Sequence, residues 1–176
     1  KVLQTAESFN TLIANIGVTP DLLDRLRASS RGTVDYMTLM AATMTLVAGA
    51  ERQLAQDLAA ATPELLEVAK AASKLHPTLG DTTYLYESIA TGVKRASPMI
   101  LDNLGLTIRL EEAYTKYAES LGITSAELTS TQQKQALLQE TLRAGQVLIE
   151  QAGGNTDSAA DAFARLDTAT KNLSDN

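Results

Sequence analysis

The sequence predicts an all-α fold, a bundle-like module of about seven to nine short helices with no sheet. Three observations carry this. Apolar residues recur at three- and four-residue spacing along most of the 176 residues. The apolar material is mostly Ala and Leu, with aromatics at 4% and no Trp, which suits closely approaching helix axes. Proline, glycine and capping residues punctuate the chain at helix-like intervals. At 44% hydrophobic, the chain has enough apolar side chain for a sizeable core.

Leu3, Ala6, Phe9, Ile13 and Ile16 form one stripe, and Gly17 stops that first helix. Thr19-Pro20-Asp21 then gives a cap, a proline at the first helical position and an acid at the positive helix start. The second helix, over 20–29, uses Leu22, Leu23 and Leu26 and ends in the polar turn from Ser29 to Gly32. Thr33 is the predicted cap of a third helix reaching Val47, with Gly49 as its interruption, although the register could continue through Leu54 and Leu58. Thr62-Pro63-Glu64 repeats the cap-proline-acid order and predicts a new helix start running to Leu75.

A loop is expected from His76-Pro77 to Gly80, and Asp81 caps a helix carrying Leu85, Ile89 and Val93. That helix ends in the basic pair Lys94-Arg95, before the Ser97-Pro98 break. Met99, Ile100, Leu101 and Leu104 then make an apolar turn closed by Gly105. After an extended linker near Thr107, a helix over 110–121 ends at Gly122. Thr124 to Glu127 and Ser130 to Gln133 both fit the capping-box pattern. The second launches the longest helix, with Leu138, Leu142, Gly145, Ile149 and Ala152 on one stripe and Gly153-Gly154 as its stop. A lean last helix over 157–173 is anchored by Phe163 and Leu166 and needs further chain to pack against. The division expected is 1–76, 77–154 and 155–176, forming one compact unit. No fixed-period repeat or sustained heptad is present, which disfavours a solenoid or a long coiled-coil rod.

The net charge of −6 disfavours nucleic acid as a primary ligand, because a broad basic face supplies most affinity for a phosphate backbone. The absence of cysteine excludes disulfides, thiolate metal sites and cysteine nucleophiles. The uncharged run 36–50 is about 15 residues, short of the roughly 18 expected of a membrane span. It predicts a buried helix, with contact to a bilayer in some other state as the alternative. The first residue is Lys1 and the last residues are polar, so the chain reads as a piece of a longer polypeptide.

Little in the sequence points to catalysis. His76 has no other His or Cys to join it at zinc, and reads as a solvated loop residue. Glu111 and Glu112 point about 100° apart on a helix and cannot flank one substrate. Glu87-Ser88 is similar to the Glu-Ser pair of lytic transglycosylases, but the stretch that those enzymes carry after it is missing. Gly153-Gly154 lacks the lysine and spacing of a phosphate loop. The expectation is therefore no enzyme, no cofactor and no metal. Lys94-Arg95 fits the negative end of a helix dipole, or else a contact with an acidic partner.

Several phrases occur in an order that resembles one family. They are Gly17 to Asp21, Arg31 to Val34 with Leu39-Met40, Ile89 to Leu106 (IATGVKRASPMILDNLGL), Tyr117 to Gly122, then Leu128-Thr129 and Gln133 to Leu142. Together, from Phe9 to Asn172, they look like a region of the tape measure proteins of long-tailed phages and prophages. Ile89 to Leu106 is the most specific, and its motif positions are Gly92, Lys94, Arg95, Ser97, Pro98, Leu101, Asp102, Leu104 and Gly105. Leu75 to Leu79 departs from the pattern, where many members have a threonine-glycine turn. The resemblance implies a structural component that spans the tail lumen, sets tube length and leaves ahead of the DNA. Implied partners are tail tube proteins, tail assembly chaperones and further copies of itself, with transient membrane contact of the full-length protein. The implied location is the virion tail, after the host cytoplasm. The competing expectation is a generic helical interaction domain, such as a sensor or secretion-associated bundle.

Overall fold

A computed structural model describes residues 1–154 and 161–175 of the chain. Among the described residues there are nine α-helices and no strand. They are α1 (Val2–Ile16), α2 (Leu22–Ser30), α3 (Tyr36–Val47), α4 (Arg52–Leu75), α5 (Thr82–Lys94), α6 (Pro98–Asn103), α7 (Leu110–Leu121), α8 (Ser130–Gln151) and α9 (Asp161–Ser174). Short 3-10 turns occupy Pro77–Leu79 and Ser125–Glu127. The all-α expectation holds.

The axis of the packing is α4, which meets α8, α5, α2 and α3. On one side α3 lies between α1 and α5, and on the other α7 covers α8. Small residues make this closeness possible: Ala55, Ala59, Ala69, Ala71 and Ala72 of α4 are fully buried. Opposite them Gly145 of α8 lies so near Val68 that an added Cβ would overlap the valine side chain. One apolar cluster runs from Phe9 through α3, α4, α5 and α6 to Leu148 and Ala152. It therefore crosses from 1–76 into 77–154, and each fully buried leucine in it contributes about 1.5–3 kcal/mol.

The uncharged third helix lies inside this cluster, burying Leu39, Met40, Ala42, Leu46 and Val47. No described helix is long and apolar enough to cross a membrane. Gly49, at φ 77°, breaks the chain after it.

The largest difference from the sequence reading concerns Thr62-Pro63. Instead of opening a helix, the pair lies in the middle of α4, which runs unbroken past it. Proline has no N–H to give the Ala59 carbonyl, four residues back. The buried Thr62 hydroxyl donates to that carbonyl instead, at 2.6 Å. The cap grammar is thus satisfied from inside the helix, and packing on both flanks overrides the local stop signal.

Smaller shifts follow the same logic. The second helix begins at Leu22, because the Thr19 hydroxyl turns to the Asp21 carboxylate rather than to a backbone amide. Asp35, not Thr33, caps α3 by accepting from the Thr38 amide at 2.9 Å, while Thr33 is buried and donates to the Ser30 carbonyl. The box ahead of α8 is Thr129 with Gln132, one residue earlier than expected. Residues 98–103 form a real helix rather than a turn. Leu3 is exposed although it lies in the first stripe, and Leu166 is exposed rather than an anchor. The Phe163 side chain and the expected helix start at Asp157 lie outside the described residues.

Candidate functional site

The 92–105 motif forms a corner in which α5 stops, reverses and re-enters as α6. Two backbone hydrogen bonds close α5: Ser97 N–H donates to the Gly92 carbonyl at 2.9 Å and Ala96 N–H to the Val93 carbonyl at 3.1 Å. This six-residue closure needs a left-handed residue, normally glycine. Ala96 takes that role at φ 49°. Ser97 then caps the next helix, its hydroxyl accepting from the Ile100 amide, and Pro98 occupies the first helical position, where no N–H is needed.

The same closure ends α6. Leu106 N–H donates to the Leu101 carbonyl at 3.1 Å and Gly105 N–H to the Asp102 carbonyl at 2.9 Å, with Gly105 left-handed at φ 87°. Leu101 and Leu106, the two ends of that loop, are both fully buried and Leu104 is buried beside them. Gly92 explains how α6 reaches α5. A Cβ there would come within 2.8 Å of Leu101 Cδ2 and 3.1 Å of Ile100 Cγ2, so the residue must lack one for the helices to meet.

The charged members divide. The ammonium of Lys94 reaches across to the Ala48 carbonyl, at the end of α3. There it meets backbone acceptors that the helix leaves unused. Arg95, Asp102 and Met99 face outward. The structure thus brings Gly92, Lys94, Ser97, Pro98, Leu101, Leu104 and Gly105 into one joint. It leaves Arg95 and Asp102 on the outer surface of that joint.

Elsewhere the polar groups also serve joints. Glu140 of α8 accepts from the Arg109 amide at 2.9 Å and from Arg143 at 2.7 and 2.9 Å. Arg143 also donates to the Thr107 carbonyl, so the extended linker before α7 is fastened to α8. Burial pushes the Glu140 carboxyl up, but the Arg143 hydrogen bonds, the Arg109 amide and nearby cations outweigh it. The net result holds the carboxyl below its ordinary 4.5. Tyr86, buried at the α3–α5 contact with its hydroxyl 3.4 Å from that of Thr43, has its phenol pushed up to about 12 by burial, which the Thr43 contact opposes. It stays neutral and acts as core.

His76 is exposed in its loop, and Glu87 of the Glu87-Ser88 pair is exposed on α5. Among the described residues no group of three or more His, Cys, Asp or Glu is placed to hold a metal ion. What the geometry of the corner does is fix the direction between two helices. The sequence reading missed the contacts of Thr62 with Ala59, Glu140 with Arg143, Lys94 with Ala48, and Lys70 of α4 with Asp161 of α9. The first two pairs are each three residues apart and carried a local signal, whereas the other two join distant stretches. No family model matches the chain, and neither does any curated protein or solved structure.

Proposed function

We propose that this chain is a structural segment of a tape measure protein from a long-tailed phage or prophage, which sets tail-tube length and lies in the tail lumen until the DNA leaves. The observation that carries the reading is the ordered series of phrases from Phe9 to Asn172, with Ile89 to Leu106 the most specific. The corner geometry supports a structural role for that phrase. Every motif residue that turns inward is accounted for by packing, capping or backbone geometry. Tail tube proteins, tail assembly chaperones and further copies of the chain are the partners this reading implies.

The test is an in-frame deletion of residues 1–176 from the parent gene, followed by electron microscopy of the assembled tails. If the segment is drawn out as helix in the tube, the tails shorten by about 260 Å, at 1.5 Å per residue. If it stays folded in a wider end of the tube, the shortening is smaller but measurable. Tails of unchanged length would overturn the proposal.

A further inference from the structure

Between α4 and α8 lies an open trough of about 420 Å³, with Tyr117 of α7 at one end. The two helices run parallel: Asp57 meets Gln135, Val68 meets Gly145 and Lys74 meets Ala152, ascending together along both. Each therefore lends one stripe to the trough at three- and four-residue spacing, Asp57, Ala61 and Glu64 from α4 and Gln135, Leu138 and Leu142 from α8. The floor is apolar, with Ala61 and Leu138 buried and Leu142 half-buried. The Asp57 carboxylate accepts from the Gln53 amide at 3.0 Å and the Gln135 amide at 3.2 Å. Tyr117 holds Gln135 in turn, donating to its side-chain oxygen at 2.7 Å. These neutral donors orient the charge without cancelling it. Glu64 is exposed further along the same stripe. Among the described residues neither acid has an ion-pair partner, whereas Glu67 and Glu140 are each bound by an arginine.

We propose that this trough docks a basic amphipathic helix of a partner protein, which lays an apolar side chain on Ala61, Leu138 and Leu142 and brings two Lys or Arg side chains to Asp57 and Glu64. The form is helix-in-groove recognition, in which anchors recur at helical spacing. Asp57 and Glu64 are two turns apart, about 10.5 Å along α4, so the partner's cations stand two turns apart with the apolar anchor between them. Two uncancelled negative charges beside an apolar floor favour a basic helix and repel an acidic one. The chain's own net charge of −6 argues against a second copy as the occupant. The inference stands on the trough alone and is independent of the tail reading above.

Fluorescence anisotropy with the full chain tests it. The probe is a labelled alanine-based helical peptide of about 18 residues, with two lysines seven apart and a leucine between them. At low salt it should bind with a Kd of roughly 10–100 μM. Asp57→Asn combined with Glu64→Gln should weaken binding at least ~10-fold, and Glu64→Lys alone, at an exposed position, should do the same. Leu142→Ser, which keeps both charges, should weaken it at least ~3-fold. Glu111→Gln with Glu119→Gln, on the exposed face of α7, should leave it unchanged. Four results would each overturn the proposal. They are no binding of the lysine peptide, equal binding of the same peptide with glutamates for lysines, an unchanged Kd in Leu142→Ser, and a loss in the α7 variant as large as in the trough variants.

Discussion

At the scale of single residues, the chain keeps its geometry by substituting one group for another. Thr62 supplies to Ala59 the hydrogen bond that Pro63 cannot. Replacing Thr62 by Val leaves a buried carbonyl unsatisfied and should cost about 1–2 kcal/mol in denaturant unfolding. Pro63→Ala should raise stability by at least ~1 kcal/mol, because alanine restores the N–H inside a helix that never ends there. In the Pro63→Ala background the Thr62→Val cost should fall to near zero, since the new amide serves Ala59. An undiminished cost in that double-mutant cycle would contradict the assignment. The sequence could not disclose this arrangement. Thr-Pro-Glu satisfies the local rules for a helix start, and only the burial of Ala59, Ala61 and Thr62 against neighbouring helices decides otherwise.

At the scale of elements, the local signals were strongest where a single residue decides the backbone. Gly17, Gly122 and Asp81 end or cap the helices that their positions foretell, and Ser97 with Pro98 opens α6 as their chemistry requires. What the sequence concealed was long-range. The Lys94 ammonium finds a carbonyl far away in the chain at Ala48, and no spacing rule connects them. The corner also makes a firm demand on α6. Leu101→Asp with Leu104→Asp places two carboxylates in the core and should unfold the chain, seen as loss of the cooperative circular-dichroism transition. Retention of that transition would make α6 an exposed partner surface instead. Acid should weaken the α7–α8 joint selectively. Because the folded carboxyl of Glu140 titrates below its unfolded value of 4.5, its stabilisation is complete above that pH. It is lost as pH falls through the lower, folded value. Glu140→Gln should therefore flatten the acid side of the stability–pH curve, and a curve parallel to wild type would show that the pair contributes nothing.

For the whole molecule, the Ala-rich seams join the helices around α4 into one body. The stretches 1–76 and 77–154 both contribute to a single apolar cluster around α4. That union was legible only in part. Composition announced close helix seams, yet which helices meet depends on pairs such as Gly145 with Val68 and Gly92 with Leu101, which lie far apart in sequence or across a turn. Small-angle scattering of the chain in dilute solution reads this union directly. One compact body of this length has a radius of gyration of about 16 Å, and that is the value expected, with a single globular profile. A rod-like profile approaching the roughly 260 Å of a continuous helix would contradict a common core joined through the 92–105 corner.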